Sequence, residues 1–118
     1  MHIRISDFIA GDSLLSIQKG ELVYSELEKA VTPDHQVVLD FTGFAWLSSS
    51  FLNAAVGKLV LEHGWSGEDF DSHVRIAGLD DTDENRLRLT IANAVNRIKL
   101  KRKNIDTKEF YAHLMPGY

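Results

Sequence analysis

Polar and apolar residues alternate over His2–Phe8, the two-residue period of a strand with one buried face. Gly11 and Asp12 break that run, and Asp12 or Ser13 is placed to cap a helix. Over Leu14–Val31, Ile17, Val23, Tyr24, Leu27 and Val31 recur at helical spacing, and Thr32-Pro33-Asp34 closes the segment. Gly20 lies inside that helix, near its apolar stripe. A glycine there costs about 0.5–1 kcal/mol against alanine, so close approach to a strand is the expected reason for it.

Val37-Val38-Leu39, within Gln36–Phe41, is an unbroken apolar run of the kind found in central strands covered on both faces. Thr42-Gly43 marks its end, with Gly43 the turn residue, and Phe44-Ala45-Trp46-Leu47 leads to Ser48-Ser49-Ser50. Serine favours helix N-caps, so a second helix is expected to start there. Its stripe is Leu52, Ala55, Val56 and Leu59, with Gly57 on another face against a close neighbour, and it stops near Gly64. Trp65–Ser72, polar and acidic, reads as a loop, and His73–Leu79 as the third strand. Asp80–Glu84 opens a third helix with the face Leu87, Ile91, Ala94, Val95 and Ile98. That helix starts acidic and ends basic, as its dipole favours.

The order is βαβαβα: an α/β fold with a small, mainly parallel sheet flanked by helices, over residues 1–103. A tail, residues 104–118, is expected to hold one short helix, begun by Asp106 and Glu109 and packing Phe110 and Leu114 on its own domain or on a second copy in a homodimer.

Composition narrows the function classes. Hydrophobic residues make up 44% and charged residues 25% of 118 positions, ordinary values for one folded domain. Without cysteine there is no disulfide, thiolate nucleophile or Cys-ligated zinc. No stretch reaches the ~18 apolar residues of a membrane span. Met1-His2-Ile3-Arg4 lacks the layout of a secretion signal, which makes the cytoplasm the expected address. A net charge of -4 is the wrong sign for a dedicated nucleic-acid binder.

The candidate chemistry centres on the serines. A helix start turns backbone N–H groups towards solvent, where an anion or phosphoryl group can be held, yet helix capping uses only one of the three. Asp40, at the carboxyl end of the middle strand, is placed either to accept hydrogen bonds from the Thr42-Gly43 turn or to take part in chemistry. There is no Gly-x-Ser-x-Gly elbow for a serine hydrolase and no glycine-rich phosphate loop. His63, Asp69, Asp71 and His73 match no compact ligand motif, so neither a metal nor a cofactor is expected. The basic run Arg97–Lys103 reads as a solvated helix end; the alternative function is binding of nucleic acid or an acidic partner there.

The strand–turn–serine–helix segment resembles the STAS domain of bacterial anti-sigma-factor antagonists, where an aliphatic strand leads to Asp-Ser-Ser-Gly at a helix start. It is more closely similar to a smaller STAS-like family with a Ser-Ser-Phe turn, here Ser49-Ser50-Phe51 followed by Leu52-Asn53-Ala54-Ala55-Val56-Gly57-Lys58-Leu59. The similarity can be traced from Ile3 to about Ile98 and takes in Gly20 and Ile91-Ala92-Asn93-Ala94. It implies a non-enzymatic regulatory module that docks on a protein such as a GHKL-type ATPase or serine kinase. Ser49 then matches the serine presented for phosphorylation, and Ser50 the next one. Ser48 stands where the antagonists have Asp, and Phe51 where they have Gly. Trp46, Ser48, Phe51 and Asn53 are the expected partner contacts.

Overall fold

The computed structural model describes the backbone of residues 1–114 and the side chains of residues 1–101. Strands β1 (His2–Arg4), β3 (Val37–Asp40) and β5 (Val74–Ala77) form a parallel sheet in the order β1-β3-β5. The apolar Val37–Leu39 run is therefore its middle strand. A second parallel pair joins β2 (Ser13–Leu14) to β4 (Trp46–Leu47). The expected first strand is shortened to His2–Arg4, because the chain turns through a 3-10 helix at Ile5–Asp7.

Helix α1 (Ile17–Ala30) is capped by Ser16, whose hydroxyl accepts from the Lys19 N–H. Asp12 and Ser13 do not cap it, because Ser13 belongs to β2. The helical run after the serines comprises α2 (Ser49–Leu52), a π-helical turn (Asn53–Gly57) and α3 (Lys58–His63). Gly64, in the left-handed region at φ 66°, ends it where the helix was expected to stop. Trp65–Ser72 is largely helical rather than a loop: α4 (Gly67–His73) starts from a capping box in which Ser66 and Asp69 each receive the other's N–H. Helix α5 runs from Asp81 to Leu114 without the separate start expected at Asp106. The packing expected of Phe110 and Leu114 lies outside the described side chains.

The parallel register sets which side chains share a face. His2 pairs with Val38 and Val38 with Arg75; Ile3, Leu39 and Ile76 align one position on. Ile3, Val37, Leu39 and Val74 are buried, while His2, Arg4 and Arg75 are exposed. The sheet is thus covered on one face, and the expectation of two covered faces for the middle strand is corrected.

The run Ser49–His63 lies between α1 and α5 and supplies Phe51, Leu52, Ala55, Val56, Leu59 and Val60 to the core. Gly20 is where α1 meets it. A Cβ at position 20 would stand 2.6 Å from the Ala54 Cβ and 2.7 Å from the Phe51 carbonyl oxygen. The close approach is to a helix and not to a strand. Gly57, expected to be tight, is looser: a Cβ there would lie 3.5 Å from both Asn53 Oδ1 and Thr90 Cγ2, ordinary contact.

Gly20→Ala is accordingly expected to destabilise the fold by about 1–3 kcal/mol through overpacking, although alanine would be worth up to ~1 kcal/mol in an open helix. Urea denaturation measures this, and adding Ala54→Gly should recover part of the loss. A gain in stability on Gly20→Ala would contradict the contact.

Candidate functional site

The serine turn is built by hydrogen bonds that consume one serine and leave two. The Ser48 N–H donates to the Leu14 carbonyl (3.0 Å), extending the β2–β4 pairing by one residue. The Ser48 hydroxyl donates to the Leu15 carbonyl (2.8 Å) and accepts from the Phe51 N–H (3.1 Å). Arg86 of α5 donates to the Leu47 carbonyl at 2.6 Å, tying the turn to the last helix. Ser48 is the cap, with its hydroxyl fully engaged. Ser49 and Ser50 are exposed, and neither hydroxyl has a hydrogen-bond partner among the described residues.

Phe51 is wholly buried. It is a core side chain, which removes it from the expected partner contacts. It follows Ser50 by one helical step, and that rotation carries it from solvent into the apolar stripe of Leu52, Ala55 and Leu59. Asn53 is exposed and lines, with Ser50, Ala54 and Lys58, an open groove whose other wall is Ile17 and Glu21 of α1. The Lys58 ammonium lies 4.4 Å from the centre of the Tyr24 ring on the same pair of helices.

Trp46 keeps 64% of its surface exposed on β4. Leu15 (52%) follows the strand paired with it, and Ile17 (54%) opens α1. Ile17 was expected on the buried stripe; it lies roughly a quarter turn from Leu27, beyond the covered face. Leu15 and Ile17 are the site residues that the sequence reading missed. The signal was there, since both bracket the capping serine and are out of phase with Val23 and Leu27.

At the carboxyl end of β3, Asp40 accepts from the Thr42 N–H (2.9 Å) and the Thr42 hydroxyl, and lies 2.9 Å from His2 Nε2. These donors, the Thr42 hydroxyl first, hold its carboxyl at about 2, below the ordinary 3.8. Gly43, at φ 97°, makes the turn. Gly78, at φ 81°, closes the cluster from β5's end: a Cβ there would stand 2.5 Å from the Thr42 nitrogen. Asp40 therefore serves the turn.

His63 and His73 both stack on the Trp65 indole, with ring centres 4.6 and 4.5 Å away, while Asp71 pairs with Arg88. No three potential metal ligands come together among the described residues. Arg97, Lys99 and Lys101 of the basic run are exposed; Arg102 and Lys103 lie outside the described side chains. No helix among the described residues is long and apolar enough to cross a membrane.

Comparison with known proteins agrees with this architecture. A family model described as a STAS-like domain of unknown function (DUF4325) matches residues 19–84, from α1 through the serine turn to the start of α5. The chain belongs to this STAS-like family. The matched span is shorter than the Ile3–Ile98 stretch of resemblance. No curated protein and no solved structure matches the chain.

The Asp40 turn gives a pH signature. A carboxyl held below its unfolded value stabilises the fold above about 3.8, and that contribution is lost as pH falls towards about 2. Asp40→Asn keeps an acceptor but removes the charge. Its urea midpoint is expected to lie below that of the wild type at pH 6, with the gap closing between about pH 4 and 2. A gap constant over that range would show that the charge contributes nothing.

Proposed function

We propose that this chain is a regulatory module that works by binding another protein, not by catalysis, and that it docks through the face around the serine turn. The observation that carries this reading is the exposure of three apolar residues that flank the serine turn, Trp46 on β4, Leu15 just after its paired strand and Ile17 at the start of α1, beside two hydroxyls with no partner among the described residues. Exposed tryptophan is what protein interfaces enrich at their centres, and exposed apolar surface around it marks an interaction site. Asn53 and Ser50 supply a polar rim, and Ser48 positions the surface without touching the partner. The partner class is the one the family resemblance implies, a GHKL-type ATPase or serine kinase.

Ser49 is the modification candidate and Ser50 the second. A phosphate adds ~1.5–2 negative charges at pH 7. On Ser49 it would stand next to the exposed apolar trio, where its desolvation cost opposes docking while the core beneath is untouched. The capping hydroxyl belongs to Ser48, so modification of Ser49 leaves the turn's hydrogen bonds in place.

The test is affinity capture with mass spectrometry, comparing Trp46→Ala, Ser49→Asp and Ser49→Ala with Leu89→Ala, an exposed leucine of α5. Trp46→Ala and Ser49→Asp are expected to lose the same captured protein by about tenfold or more, while Ser49→Ala and Leu89→Ala retain it. All four should melt within a few degrees of the wild type. Equal capture by all variants, or unfolding of Ser49→Asp, would overturn the reading.

A further inference from the structure

A second feature of the π turn points to what such a partner presents. Between the turn and α5 lies a hollow of about 180 Å³ lined by Asn53, Gly57, Leu61, Asn93, Ala94 and Arg97. Its floor exists because Gly57, buried at the end of the π turn, carries no side chain. Asn93 and Arg97 stand one turn apart on α5 and face Asn53 across the gap. Among the described residues, the side chains of Asn53, Asn93 and Arg97 have no hydrogen-bond or ion-pair partner.

No acidic residue lines the hollow. The nearest acid in sequence on the facing helix, Glu62, stands one turn from Lys58, whose ammonium lies over the Tyr24 ring, and so on the α1 side of that helix. The guanidinium of Arg97 is thus an uncompensated cation beside two amides able to donate. Arginine's planar fork fits a carboxylate, and the amides can satisfy its remaining lone pairs. Size selects among carboxylates. A cavity of roughly 150 Å³ accommodates a benzene-sized group, whereas small-molecule sites usually span about 300–1,000 Å³. One glutamate or aspartate side chain fits.

We infer that the hollow between the π turn and α5 is a socket for an acidic side chain of the partner protein, held by Arg97, Asn53 and Asn93. This rests on the reading of the chain as a docking module and adds the chemistry of one anchor residue. Asn53 lines both this socket and the groove beside the serines, so the two surfaces are continuous.

The experiment needs no partner, so its failure is distinguishable from failure of the docking reading. The 15N-labelled chain is titrated with N-acetyl-glutamate N-methylamide at constant ionic strength, reading the side-chain amide signals of Asn53 and Asn93 and the Arg97 Nε–H. Saturable shifts of all three are expected in the millimolar range, absent with N-acetyl-glutamine N-methylamide and lost in Arg97→Gln, whose other amide signals should stay in place. Ser49 and Ser50 amides should not move. Equal shifts with the glutamine compound or with sulfate, or shifts that persist in Arg97→Gln, would overturn the socket. So would at least tenfold tighter binding of free succinate, which would make the ligand a small dicarboxylate. Silence of all three signals would overturn it as well.

Discussion

Everything around the serine turn depends on a contact in which a side chain is missing. Helix α1 lies against the Phe51–Ala54 backbone so closely that no Cβ fits at Gly20. That distance sets where α1 begins relative to the serines, and with it the short β2–β4 pairing and the Ser48 bonds to Leu14 and Leu15. A glycine in a helix costs intrinsic stability. Here the cost is offset by the buried faces it brings together, Val23 and Leu27 on one helix and Phe51, Ala55 and Val56 on the other.

The fold was legible where hydrophobic period and punctuation agree. Val37–Leu39 in the centre, Gly64 as a helix stop and a serine cap at position 48 all have short-range causes. What was misread depends on partners distant in sequence. Phe51 looked like a surface residue because it follows three serines, yet it continues the stripe of Leu52, Ala55 and Leu59 one turn back. Helix α4 buries only Phe70, too few apolar residues to show a period, and its sole local sign was the Ser66–Asp69 capping box. The close neighbour of Gly20 lies more than thirty positions along the chain, and no local pattern distinguishes a helix from a strand there.

The polar groups divide into those already engaged and those that are not. Ser48, Asp40 and Arg86 spend their hydrogen bonds on the turns that hold strand ends and helix starts together. Ser49, Ser50 and Asn53, on the helical run that α1 and α5 enclose, do not, and neither does Arg97 on α5. None of these side chains closes a turn or fills the core. The candidate site was only half readable in sequence: the serine turn was visible as a motif, whereas Leu15 and Ile17 join it only through packing.

The uncovered face of the sheet also bears on how the chain finds its fold. Successive residues of a strand point to opposite sides, so a slip of one position in β5 would turn Arg75 inward and Val74 out. The same slip in β1 would turn His2 or Arg4 towards the core and Ile3 out of it. With strands of only three and four residues there is little hydrogen bonding to tell one alignment from the next. The charges on the wet side supply that discrimination: a mispaired strand has to strip water from an arginine, which disfavours that alignment.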